Sequence, residues 1–181
     1  MRVIRWANAA GDGLEHLALA IGADGALAEG VVIGVRNGVS YGLEYQIRCA
    51  ADWSVRSFDV RLAGGGALRL TADGSGGWWE TGAPRADLAG CVDLDLAATP
   101  FTNTLAIRRL DLAPQQRRVI RAVYVAVPSL QATVAAQAYI CLEPRLRYRY
   151  ENLDTSFHAE LPMDVNDVVT DYPGLFRRLA G

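Results

Sequence analysis

Along most of this chain apolar and polar side chains alternate with a period of two, the pattern of strands buried on one face. Tyr41, Leu43, Tyr45, Ile47 and Cys49 alternate with Ser40, Gly42, Glu44, Gln46 and Arg48. Leu146, Tyr148 and Tyr150 alternate with Arg145, Arg147 and Arg149, giving one aromatic face and one cationic face. Phe157, Ala159, Leu161 and Met163 repeat the pattern near the end. Between 53 and 62 the phase slips, from Trp53 and Val55 to Phe58, Val60 and Leu62. A β-bulge near Arg56 and Ser57 would produce that slip. Val119 to Val127 is apolar on both parities, as expected of a strand covered on both faces.

Punctuation supports the same architecture. Asn37-Gly38 and Asp73-Gly74 sit between strand-like runs, where tight turns belong, and Asp24-Gly25 and Gly64 to Gly66 add further breaks. The expected fold is therefore mainly all-β: a many-stranded antiparallel sheet, sandwich or barrel with at most a short helix. Three segments resist. Leu14 to Leu19 fits a helical turn nearly as well as a strand. Ala132 to Leu142 is alanine-rich, and propensity alone favours a helix there. After Pro173-Gly174, Leu175 to Leu179 reads as a short terminal helix. No repeat, linker or low-complexity tract divides the chain, so one domain over 1–181 is expected.

Composition narrows the partners. The chain has 181 residues, enough for a sizeable core, and a net charge of −2, which offers no basic stripe for nucleic acid. All eighteen basic residues are arginine, a bias that a GC-rich genome explains without any anion-binding role. No apolar run reaches the roughly 18 residues needed to span a bilayer, and the N-terminus lacks a signal-peptide pattern, so a cytoplasmic protein is expected. Cys49, Cys91 and Cys141 are far apart in apolar runs and read as reduced core thiols. No cysteine or histidine spacing predicts a metal, and no cofactor is expected.

Chemistry concentrates between Cys91 and Leu110. The segment opens as a strand, with Val92, Leu94 and Leu96 on one face and Asp93 and Asp95 on the other. It continues as a polar loop, Thr99-Pro100-Phe101-Thr102-Asn103-Thr104, with the side chains that build Asx- and ST-turns. It leaves through Arg108 and Arg109. The two aspartates share a face about 7 Å apart, which suits a carboxylate pair, a divalent-ion site, or simple pairing with arginines. Nucleotide-binding glycine motifs and the G-x-S-x-G nucleophile signature are absent. His16 and His158 are isolated strand positions. Trp78-Trp79 places one ring in a core and turns the other away. Tyr148 and Tyr150, with Tyr41 and Tyr45, are core stripes whose hydroxyls would serve a cavity if one exists.

The run C-V-D-L-D-L-A-A-T-P-F-T-N-T-L-A-I-R-R-L at 91–110 resembles the central motif of the bacterial "Putative glycolipid-binding" family, earlier classed as a domain of unknown function. Gly13 to His16, Tyr45 to Cys49 with Asp52-Trp53, Val119 to Pro128, and Asp171 to Arg178 agree with it. Ala106, where the family pattern has proline, is a minor departure. The resemblance implies an antiparallel sheet curved into an open or half barrel, similar to bacterial lipoprotein carriers. It further implies non-enzymatic binding of an amphiphile, such as a glycolipid, in the concavity. Asp93, Asp95, Thr102, Asn103, Arg108 and Arg109 would then contact a head group, with Tyr148 and Tyr150 inside the cavity. Two other readings stay open: a hydrolase or lyase using Asp93 and Asp95, and a scaffold acting through an exposed sheet edge.

Overall fold

The structure, a computed structural model, describes residues 1–180. Strands take 56% of the chain and helix 7%, so the mainly all-β expectation holds. Eight strands follow one another in the first half: β1 (Arg2–Asn8), β2 (Leu14–Gly22), β3 (Gly25–Arg36), β4 (Val39–Ala50), β5 (Val55–Leu62), β6 (Ala67–Ala72), β7 (Trp78–Glu80) and β8 (Ala83–Pro84). After a 3-10 turn at Ala86–Leu88 come β9 (Asp93–Leu96), helix α1 (Phe101–Leu110), β10 (Arg117–Val125), β11 (Ala132–Glu143), β12 (Arg147–Asn152), β13 (His158–Pro162) and β14 (Phe176–Arg178). One sheet runs β14-β1-β2-β3-β4-β5-β6-β7-β8 and the other β13-β12-β11-β10-β9. A large antiparallel sheet thus sits against a strongly curled half-barrel sheet.

Local chemistry explains several joints. Asn37 and Gly38 both adopt positive φ (52° and 77°), as a two-residue hairpin turn between β3 and β4 requires. The slip in the hydrophobic phase is real: Arg48 pairs with Ser57 but Cys49 pairs with Val55, so Arg56 is the extra residue of a bulge. Trp78 is buried, its Nε1 donating to the Cys91 carbonyl (2.7 Å), while Trp79 is half-buried. All three cysteines are buried and unpaired, and burial pushes the Cys49 thiol up to about 12.

Three sequence expectations are corrected. Ala132–Glu143 is a strand, because β10 and β12 pair with it on both sides and tertiary pairing outweighs alanine's helix propensity. The chain end is strand β14, held by Trp6 to Asn8 of β1, and not a helix. The largest change is at 99–104: Thr102 to Thr104 belong to α1 and not to a loop. The second sheet contains one parallel pair, β9 with β10, and adjacent parallel strands need a long crossover, which a helix supplies. Thr99 Oγ1 accepts the Phe101 amide (3.0 Å) to start the helix, and Asp111 stops it in the left-handed region at φ 42°.

Helix α1 is the centre of the molecule. Every residue from Phe101 to Ile107 is buried. Phe101 and Leu105 join the core formed with the nine-stranded sheet, whereas Ala106 and Ile107 join a second core with Tyr139, Tyr148 and Tyr150. The two sheets enclose this stretch on all sides, so its buried polar side chains Thr102, Asn103 and Thr104 must find partners inside. Burying Phe101, Leu105 and Ile107 contributes roughly 1.5–3 kcal/mol each. Arg108 and Arg109 fall in the last turn, where cations meet the negative end of the helix dipole.

Candidate functional site

The polar groups of β9 and α1 divide into two sets. Asp93 is 3% exposed and takes both hydrogen bonds of the Arg109 fork (2.8 and 2.6 Å), an ion pair that ties the end of α1 to β9. Asp95, two residues on and on the same face, meets no cation at bonding distance among the described residues. Its carboxylate accepts from Gln137 Nε2 (2.6 Å) and Thr102 Oγ1 (3.3 Å). Burial raises its pKa, against the opposing pull of Gln137, Thr102 and the more distant Arg36. Asn103 is occupied within the core, accepting from the Tyr139 hydroxyl (2.9 Å) and donating to the Pro100 carbonyl (3.2 Å).

Asp95 forms one side of a cleft of about 200 Å³ between the two sheets. Thr99, Tyr124 and Arg36 complete its polar side; Arg36 donates to the Ala97 carbonyl (3.3 Å) and the Tyr124 hydroxyl (3.2 Å). The opposite wall is aromatic. Tyr150 stacks edge-on against Tyr139 and Tyr172 (5.5 and 5.9 Å between centroids), and Phe157 and Phe176 extend the cluster. Phe157 and Leu175 remain about 40% exposed at the rim (39% and 41%). Burial also lifts the hydroxyl pKa values of Tyr150 and Tyr172, so both stay neutral donors.

The other predicted residues lie elsewhere. Arg108 and Tyr148 line a second cleft of about 150 Å³ at the far end of α1, where the Arg108 guanidinium lies 4.1 Å over the Trp53 ring. There Arg108 Nη1 donates to the Asn166 carbonyl (2.8 Å), and Asp167 sits between Arg108 and Arg145. Of the eight candidates, the Asp95 cleft therefore brings together Asp95 and Tyr150, with Thr102 behind them. A larger groove of about 660 Å³ crosses the outer face of the nine-stranded sheet. Its charges already satisfy one another across strands, through Arg61 with Glu44, Arg69 with Asp59, and Gln46 with Glu29.

One group near the cleft was not singled out from the sequence. Glu15 is 3% exposed, and Tyr45 donates to its Oε1 (2.6 Å) while Oε2 has no hydrogen-bond partner. The Tyr45 ring reaches it by crossing β3 at Gly30, where an added Cβ would lie 2.2 Å from Tyr45 Cε1. Burial pushes the Glu15 carboxyl up to about 7, against the Tyr45 and Thr99 hydroxyls, and Thr99 also lines the Asp95 cleft. The signal was available: Glu15 is in phase with Leu17 and Leu19, so a carboxylate occupies a core position of β2. Among the described residues no group of three or more histidine, cysteine or acidic side chains is arranged to hold a metal. No helix there is long and apolar enough to cross a membrane.

These features describe a two-sheet β protein closed around a central helix, with small clefts near the two ends of the helix. The chain belongs to the family described as "Putative glycolipid-binding", whose model matches residues 3–178. A crystal structure of a DUF1089 family protein from Pseudomonas aeruginosa is similar over nearly the whole length. It shares 41% identity and a TM-score of 0.82, covering 93% of this chain and 92% of that one. No curated protein matches the chain in sequence.

Proposed function

We propose that the chain works as one unit that binds an amphiphile such as a glycolipid, without turning it over, in the cleft beside Asp95. The observation that carries this reading is the cleft's two-sidedness: a half-buried carboxyl, a threonine and an arginine face a wall of tyrosine and phenylalanine. A polar ring or head group finds acceptors and donors on one side, and an apolar tail leaves over Phe157 and Leu175. At about 200 Å³ the cleft holds a head group or a single ring, below the ~300–1,000 Å³ that encloses a drug-sized ligand. In this reading Asp95, Thr102 and Tyr150 serve the ligand directly or from behind. Asn103, Asp93 and Arg109 hold the helix, and Arg108 and Tyr148 belong to the other cleft. Family membership supports the same class of ligand.

Saturable binding of an alkyl glucoside below its micelle concentration, followed by NMR, tests this. Phe157→Ala, at an exposed rim position, is expected to weaken binding about tenfold through lost apolar contact. The reading fails if the wild-type spectrum does not respond and native mass spectrometry of protein from its own host shows no bound lipid. A hydrolase or lyase remains the second reading, favoured by the raised pKa of Asp95, a property of buried acid catalysts. Turnover of a glycoside that Asp95→Asn abolishes would establish it. Strand addition to a partner has less to work with: the outer strands β8, β14, β9 and β13 are two, three, four and five residues long.

A further inference from the structure

Strand β1 outruns its outer neighbour. β14 pairs only with Trp6, Ala7 and Asn8, and one further bond joins the Leu179 amide to the Arg5 carbonyl (2.9 Å). Along the remaining edge opens a cleft of about 780 Å³. The charged side chains lining it are Arg2, Arg5 and Arg178, with His16 beside them and Val3 and Leu179 as apolar ground. Among the described residues no carboxylate lines it.

Two of the guanidiniums are held in place. Arg178 lies 4.8 Å over the Trp6 ring and donates to the Val169 carbonyl (2.8 Å). Arg2 and Arg178 both reach Oδ2 of Asp164, at 2.6 and 3.1 Å. Arg5 donates to the Ala180 carbonyl (2.9 Å). Two guanidiniums thus share one carboxylate oxygen, and the third, Arg5, meets only a backbone carbonyl. Among the described residues Arg2 Nη1 and Arg178 Nε are buried without a hydrogen-bond partner, so there this corner carries more donors than acceptors. Buried donors are nearly always met, and an excess of them calls for a missing acceptor. Guanidinium forks bind carboxylates and phosphates bidentately, and a cluster of one sign concentrates anions near it. A carboxylate is already supplied by Asp164. A phosphate ester, with up to two charges and three acceptor oxygens, suits what remains.

We propose that this cleft is an oxyanion site that takes a phosphate group, carried either by a soluble ester or by a lipid head group. It shares no lining residue with the Asp95 cleft, so the two proposals stand or fall separately. Calorimetry with inorganic phosphate and glucose 6-phosphate forms one arm of the test. Phosphatidylcholine vesicles with and without phosphatidic acid form the other. Saturable binding that weakens with salt is expected in at least one arm. Arg5→Glu should weaken it about tenfold or more, since this residue lies outside the Asp164 pair. Arg61→Glu, an equal charge change elsewhere on the same sheet, should leave it within about twofold. Binding of the soluble phosphates identifies a soluble ester, and binding only to phosphatidic acid vesicles identifies a head group. Absence of saturable binding in every arm, or equal losses in the two variants, overturns the site.

Discussion

Asp93 and Asp95 stand two residues apart on one strand and face the same helix, yet they do opposite things. Asp93 meets the Arg109 fork and is fully engaged by it. Asp95 meets only neutral donors, keeps one side on a cleft, and has its pKa raised by burial. The difference comes from the helix. Its last turn brings a guanidinium to Asp93, and its first turn brings a threonine to Asp95, beside the opening between the sheets. A carboxylate pair that looks symmetrical in sequence is split into a structural lock and an available group.

The same substitution at each position tests that split. Asp93→Asn leaves Arg109 without its counter-charge in a largely buried setting and should cost about 3 kcal/mol in urea denaturation. A loss of under about 1 kcal/mol would mean that the ion pair does not lock the helix. Glu15 sharpens the comparison as a second carboxyl that meets no cation, and a fully buried one. Its folded pKa of about 7 lies above an ordinary 4.5, so the folded protein binds this proton more tightly than the unfolded chain. Its contribution is complete below pH 4.5, falls as pH rises through 7, and is then level, a change of about 3 kcal/mol. Denaturation at pH 5 and pH 8 should show lower stability at the higher pH. Glu15→Gln should remove most of that difference while keeping an acceptor for Tyr45.

Much of the strand framework was legible in the alternation. The hairpin at Asn37-Gly38, the bulge at Arg56 and the inward tyrosines of β12 follow from local pattern and turn chemistry. Helix α1 was hidden because Thr99 to Thr104 carries turn-building side chains, and because its burial depends on two sheets that meet only in the fold. The alanine-rich strand β11 misled for a related reason: its pairing partners outweigh its propensity. Of the cleft residues, Asp95 was a candidate from its polar segment, and Tyr150 from a core stripe whose hydroxyls would serve a cavity. Arg36, Tyr124 and Tyr172 were not, since sequence distances of 36 to 95, or 95 to 172, carry no trace of their meeting. Glu15 was passed over because Leu14 to Leu19 fits a helical turn nearly as well as a strand, which blurred its core position.

The smallest effect expected is the most discriminating. Asp95→Asn keeps an oxygen to accept the Gln137 amide, and the Thr102 hydroxyl can rotate to accept the new amide donor. No cation is stranded, and a group that burial disfavours as an anion becomes neutral. Stability should therefore change by no more than about 1 kcal/mol at pH 7, and any gain should shrink as pH falls towards the ordinary carboxylate range. Measured beside Asp93→Asn, the near-silent variant would show that Asp95 is not retained for the fold, leaving the cleft as the reason for a carboxylate there. A loss as large as that of Asp93→Asn would make both aspartates part of one lock and remove the polar floor from the proposed binding site.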